Sequence, residues 1–166
     1  MGLIDRLIKQ RNGKLRGGLA RRAFGFWVPY RAAGVSVRLI SDDWMSIDVE
    51  MALSWYNRNF VGTQFGGSLF AMSDPWWMLM LMQQLGPDYV VWDKAAEIDF
   101  VSPGKGRVYA SFRLEQQIVD QIIAQAKDGA KVLHWFKNQV VDSDGNVVAT
   151  INKQVYIRQK RRKAGI

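Results

Sequence analysis

The sequence predicts an α+β fold: a curved antiparallel sheet of about six strands wrapped around one long central helix, with extra helices at the N-terminal end. Three observations predict it. Residues 66–85, GGSLFAMSDPWWMLMLMQQL, are apolar on nearly every face, so as a helix they must be covered all round. Their uninterrupted apolar run is short of the roughly 18 residues that a membrane span needs, and Asp74 and Pro75 sit in its middle. On either side of this stretch the apolar period changes to two, the pattern of strands with one buried and one wet face.

The elements follow in chain order. Leu3, Ile4, Leu7 and Ile8 fall at helical spacing with cations opposite, giving a short basic amphipathic helix or a packed arm that Gly17-Gly18 ends. Leu19 to Ala33 repeats the helical period through Ala23, Phe24, Phe26, Trp27 and Tyr30, with Pro29 marking a kink or early end and Gly34 a stop. Val35, Val37 and Leu39 alternate, Asp42-Asp43 turns the chain, and Met45, Ile47, Val49 and Met51 alternate in return, an antiparallel hairpin. A loop rich in Asn and Gly, 57–67, leads into the central helix, and Gly86-Pro87 closes it. Residues 89–101 form a strand, Pro103-Gly104-Lys105-Gly106 turns it, and Val108, Ala110, Phe112 and Leu114 alternate on the way back. A helix over 116–127 precedes two strands joined by Ser143-Asp144-Gly145.

With 166 residues and 48% apolar content the chain is one folded domain rather than a disordered one. A basic arm at 1–18, the domain at 19–160 and a basic tail at 161–166 divide it. The absence of cysteine excludes disulfides, thiolate zinc sites and cysteine nucleophiles, and His134 alone cannot make a zinc site. Neither metal nor cofactor is expected. The N-terminus has basic residues throughout and no clean apolar core before a cleavage site, so no signal peptide is expected and a cytoplasmic location is the default. The net charge of +8 is concentrated at the two ends, which are either solvated or drawn to a polyanion: nucleic acid, an anionic membrane surface or nucleotide phosphates.

Asp74 is the residue around which chemistry is sought. Flanked by Met72, Trp76, Trp77 and Met78, it should be poorly hydrated and so a better base near neutrality. The same Asp-Pro pair also suits a helix start, with Asp74 as N-cap and Pro75 first in the helix. Gly66 and Gly67 open a helix where unpaired N–H groups suit a developing oxyanion. Asn59, Thr63 and Gln64 orient water or a carbonyl, or satisfy loop backbone groups, the role favoured for Asn57. Asp93 should pair with Lys94 or Arg58, and the Met72, Met78, Met80 and Met82 cluster should belong to the core.

NRNFVGTQFGGSLFAMSDPWW, DYVVWDKAAEIDFVSPGKG and NKQVYIRQK together resemble the uncharacterised-domain (DUF4442) branch of the hot-dog fold thioesterase superfamily, over roughly residues 25–160. The resemblance implies a sheet joined edge to edge with that of a second copy, a homodimer or a dimer of dimers, with acyl-coenzyme A at the subunit boundary. It implies Asp74 as base or nucleophile, Gly66, Gly67 and Asn59 beside the reacting carbonyl, and Thr63, Gln64, Phe65 and Ser68 against the substrate. Lys105 and Arg107 would hold nucleotide phosphates. Related phenylacetate-pathway enzymes carry His-Gly-Gly and then the acid seven residues on; here Asp74 fills the acid position and Phe65 replaces the His. A non-catalytic acyl-coenzyme A or acyl-carrier binding protein is the alternative, peripheral membrane contact through the basic ends remains open, and nucleic-acid binding ranks last.

Overall fold

The computed structural model describes residues 16–160; the amphipathic helix expected before Gly17 and the tail from Arg161 lie outside the described residues. Where one helix is expected over 19–33 there are two, α1 (Gly17–Phe24) and α2 (Val28–Ala33). Pro29 sits in the first turn of α2, where its missing N–H costs nothing, so it starts a helix instead of kinking one. Gly34 ends α2 in the left-handed region at φ 80°, and a Cβ there would lie 2.3 Å from Asn57 Nδ2.

Then come β1 (Val35–Ile40), β2 (Ser46–Met51), α3 (Gly66–Ser73), α4 (Trp76–Leu85), β3 (Tyr89–Phe100) and β4 (Val108–Arg113). They are followed by α5 (Gln116–Gln125), a 3₁₀ turn at Lys127–Gly129, β5 (Lys131–Asp142) and β6 (Val147–Gln159). The six strands form one antiparallel sheet in the order β1-β2-β4-β5-β6-β3. The return of β4 alongside β3 expected from the turn at 103–106 does not occur. β3 crosses to the far edge and pairs with β6 from Tyr89↔Gln159 to Phe100↔Ala149, whereas β4 lies between β2 and β5. A period of two identifies a strand and its buried face but not its neighbour, and only about two-thirds of successive strands pair.

The central helix is two helices in series. Pro75 has no N–H to give to the preceding turn and its ring crowds that turn, so α3 stops at Ser73 and α4 restarts at Trp76. Asp74 between them is extended, at φ −90° and ψ 129°, and its peptide bond to Pro75 is cis. Both helices press into the inner face of the sheet. Met72, Trp76, Met80 and Leu81 have no exposed surface, and they meet Ile47, Phe112, Val140 and Ile151 from the strands. Each such side chain contributes about 1.5–3 kcal/mol of transfer free energy. Trp77 stacks on Phe136 at 4.5 Å, and its indole N–H donates to Asn138 at 3.3 Å. Met78 and Met82 pack against this core, as expected for the methionine cluster. Among the described residues no helix is long and apolar enough to cross a membrane.

Candidate active site

The break in the central helix positions Asp74. Its carboxylate caps neither helix; no side-chain cap bond forms at the start of α3 or of α4. It turns instead to the sheet, where Lys153 Nζ lies 2.5 Å from Asp74 Oδ1 and 2.9 Å from Asp93 Oδ2. The Lys153 side chain is 5% exposed and that of Asp74 is 49% exposed. Asp74 is therefore wetter than its apolar sequence neighbours suggest: the extended backbone at the break points it out of the core while Met72 and Trp76 point in.

Lys153 comes from β6, where Ile151, Val155 and Ile157 on the same face are all fully buried. A lysine in the middle of a core-facing stripe is tolerated only when its ammonium is paired. That misplaced cation is the sequence signal through which the cluster could have been found. Asp93 was expected to pair with Lys94 or Arg58; it pairs with Lys153, because Lys94 falls at the register shift between Asp93 and Ala95 and is exposed. Burial raises the Asp93 carboxyl above its ordinary value, Lys153 opposes that rise, and the nearby Asp74 adds to it. Asp93 Oδ1 is buried with no hydrogen-bond partner among the described residues.

Behind the break, the Tyr30 hydroxyl donates to the main-chain carbonyl of Asp74 and also lies 3.3 Å from that of Met72. Burial, and then the charge of Asp74, push the Tyr30 phenol well above its ordinary value, so it stays a donor. Trp76 Nε1 donates to the same Met72 carbonyl at 3.2 Å. The carbonyls left over where α3 stops are thus satisfied by two buried aromatic side chains.

Gly66 and Gly67 open α3 at its other end, about 10–12 Å from Asp74 along the helix axis at 1.5 Å per residue. The first N–H groups of a helix have no intrahelical acceptor, so this end carries donors. Two aromatic rings cover it: a Cβ on Gly66 would come within 2.8 Å of Phe100 Cζ, and one on Gly67 within 2.4 Å of Phe65 Cε1. Ser68, in the same first turn, is buried. Before the helix, Trp55, Arg58, Asn59, Phe60, Val61 and Phe65 line an open cleft of about 800 Å³.

The loop polar groups serve the loop. Asn57, buried, accepts from Ser54 N at 2.7 Å and donates to Ala52 O at 2.8 Å. Asn59 Oδ1 accepts from the backbone of Val61 and Thr63, and its amide donates to Thr63 Oγ1 at 2.9 Å. Gln64 is buried, donates to Gly106 O at 2.9 Å, and leaves its Oε1 without a partner among the described residues. Its backbone N–H bonds Gly104 O at 2.9 Å, which brings the Lys105 turn beside the helix start. Arg107 pairs with Glu50 at 2.8 Å, a residue that also holds Arg38. His134 lies on β5 with its ring 4.5 Å from that of Phe136, and burial lowers its pKa. Among the described residues no cluster of His, Cys, Asp and Glu could hold a metal.

A family model described as a domain of unknown function, DUF4442, matches residues 17–157. No curated protein matches the chain. Among solved structures, a protein of unknown function from Pseudomonas aeruginosa, described as a probable thioesterase, is 20% identical with a TM-score of 0.73, over 86% of this chain and 95% of that one. A thioesterase from Haemophilus influenzae is 10% identical with a TM-score of 0.62, over 86% and 91%. The PaaI protein from the phenylacetic acid degradation operon of E. coli is 16% identical with a TM-score of 0.59, over 82% and 88%. These likenesses are of fold: a hot-dog sheet curled around a central helix.

Proposed function

The chain belongs to the DUF4442 family of hot-dog fold proteins, and from that premise we propose that it is a thioesterase-like hydrolase that cleaves an acyl-coenzyme A thioester in the cytoplasm. The observation that carries the proposal is Asp74: an acid half in water, at a break in an apolar helix, with one oxygen fixed by a buried lysine. Lys153 takes Oδ1, which leaves Oδ2 to receive a proton from water. The water oxygen attacks the thioester carbon, the carbonyl oxygen takes the negative charge, and the carbon–sulfur bond breaks as the thiolate leaves. Asp74 attacking directly, with an anhydride then hydrolysed, uses the same groups. The N–H groups of Gly66 and Gly67 receive the oxyanion, and the cleft at Phe60 and Phe65 takes apolar acyl surface. Asn59, Thr63, Gln64 and Ser68 shape the entrance to that helix end, and Lys105 is the cation offered there to the nucleotide phosphates; Arg107 contributes through whatever charge Glu50 leaves it.

Asp74 and Gly67 stand at opposite ends of α3, so one chain does not bring them onto one carbonyl. The edge strand β3 supplies the remedy. Among the described residues it pairs only with β6 and leaves its other side unpaired, and it presents Asp93 at the Asp74 end and Phe100 at the Gly66 end. A second copy added antiparallel along β3 would set each Asp74 near the partner's Gly66 and Gly67. We therefore propose a homodimer built on β3, with pairing of two dimers as a further step.

Turnover of a panel of short to long acyl-coenzyme A thioesters tests the reading. Hydrolysis is expected on some chain length, and Asp74→Asn should lower it by at least about 10²-fold. No turnover on any chain, or undiminished turnover in the variant, rejects it. One observation favours a second reading, a non-catalytic binder: Phe65, not a polar group, covers the helix start. Thermal stabilisation by acyl-coenzyme A without hydrolysis would select that reading.

A further inference from the structure

Away from the cleft lined by residues 55–65, the α1–α2 corner also holds large apolar side chains out to water. Phe26 is 77% exposed, Val28 72% and Leu19 51%, three large apolar side chains within ten residues. They are not loosely held. Ala20, Phe24 and Tyr30 from the same two helices are buried, and Phe24 packs on Trp27 at 5.5 Å and on Trp76 at 4.8 Å. The corner is thus fixed to the core by one face while it holds Leu19, Phe26 and Val28 out to water.

Along the chain the charge of these residues has one sign, and in space the acid Asp42 stands at the start of α1, where its Oδ1 accepts from Gly17 N–H at 2.9 Å. Between Asp5 and Asp42 the sequence contains no Asp or Glu. Arg16, Arg21, Arg22 and Arg31 are exposed, and none forms an ion pair among the described residues, whereas Arg38, Arg107 and Arg113 each have an acid partner. On α2, Val28, Arg31 and Ala32 are spaced i, i+3 and i+4 and so share the solvent face. On α1 the buried residues Gly17, Ala20 and Phe24 set the inner face, which puts Leu19 and Arg22 on the outer one.

We propose that this corner is a docking surface for an anionic lipid bilayer, with Phe26, Val28 and Leu19 entering the interface and the four arginines set against the headgroups. Apolar side chains interleaved with unpaired cations match both layers of such a membrane, its acyl boundary and its negative surface. A second copy of the chain would bring arginines against arginines. Single-stranded nucleic acid would satisfy the arginines but has no use for exposed Leu19 and Val28, which offer no stacking face. The surface is tied to the interior: Tyr30, on α2, donates to the carbonyl of Asp74, so docking would hold the helix break at a fixed place relative to the bilayer. This inference does not require the thioesterase reading, and its test does not measure hydrolysis.

The absence of cysteine makes the experiment direct. Phe26→Cys in the full chain, labelled with a polarity-sensitive fluorophore, is titrated with phosphatidylcholine vesicles with and without about one-third phosphatidylglycerol. A control label at Asp144→Cys reports from the β5–β6 turn, three strands from β1 in the sheet. The expected result is a blue-shifted, brighter emission from position 26 on the anionic vesicles alone, with none from position 144. In co-sedimentation, Arg21→Gln/Arg22→Gln/Arg31→Gln and, separately, Leu19→Ser/Phe26→Ser/Val28→Ser should each lower partition by about tenfold or more. Equal response at both labels, no binding to anionic vesicles, or binding unchanged in both triple variants overturns the proposal. So does binding of single-stranded DNA in place of vesicles. The label result stands even if a triple variant folds poorly.

Discussion

Lys153 Nζ stands 2.5 Å from Asp74 Oδ1 and so joins the middle of the last strand to the break in the central helix, residues 79 positions apart in the chain. Its other carboxylate partner, Asp93, lies on the edge strand. One buried ammonium thus connects the helix break, the sheet interior and the edge at which a second copy would add.

Lys153→Met should therefore destabilise the fold although it puts an apolar residue at a core position. It leaves two acids facing each other with no cation between them, and unpairing a buried ion typically costs about 3–5 kcal/mol. Asp74 is half in water, so a loss of about 2–3 kcal/mol is expected in chemical denaturation. A variant as stable as the parent would show that the cluster makes no contribution to the fold.

Asp93→Asn gives a signed dependence on pH. The Asp93 carboxyl is raised by burial, so the folded state holds this proton more tightly than the unfolded state does. Its contribution favours the fold at low pH and is lost as pH rises from about 4 through the raised folded value. Asparagine does not titrate. The difference in melting temperature, variant minus parent, should become more positive between pH 4 and pH 7; a flat difference would mean that Asp93 is not perturbed.

The sequence carried the fold's period and punctuation but not its pairing. Alternation along residues 45–51, 108–114 and 147–159 reads directly as strands, since one face of each is apolar and the other wet. Along 35–40 a register shift between Val37 and Leu39 turns Leu39 to water and buries Ile40, which the spacing does not show. That β3 runs to the opposite edge is a consequence of covering α3 and α4, a long-range constraint that no local spacing contains. At the candidate site, Asp74, Gly66 and Gly67 stand out as the acid and the glycines of an apolar stretch. Tyr30 does not, because it looks like an ordinary member of an amphipathic pattern until the chain brings it to the break; Lys153 interrupts the apolar face of its strand, but no local spacing shows which acids it meets. Asn59 illustrates the opposite case: a polar residue in a suggestive loop whose amide closes that loop.

Tyr30→Phe removes a single oxygen. The hydroxyl is buried and donates to the Asp74 carbonyl, whereas the Met72 carbonyl keeps Trp76 Nε1, so its loss leaves one part-buried acceptor short of a donor, at about 1–2 kcal/mol. The break would lose its tether to α2, and turnover should fall by more than the stability change at assay temperature explains. Measuring kcat and the denaturation midpoint on the same preparation separates the two effects; unchanged kcat with lowered stability would leave Tyr30 a packing residue alone.

The homodimer on β3 makes a prediction that a one-chain site does not. If each reaction centre takes Asp74 from one chain and Gly67 from the other, Asp74→Asn and Gly67→Val disable different halves of it. A Cβ at position 67 already meets the Phe65 ring at 2.4 Å, so valine there should close the helix start to a substrate. Each variant alone has no intact centre. Co-expressed with different affinity tags, the two chains form mixed dimers in which one centre of two has its Asp74 and its Gly67 intact, so a randomly assorted mixture should recover about a quarter of the parent turnover. Purification through both tags should raise that to about a half, since every dimer then carries one good centre. If both residues act within a single chain, mixing restores nothing, and the edge strand has no part in the chemistry.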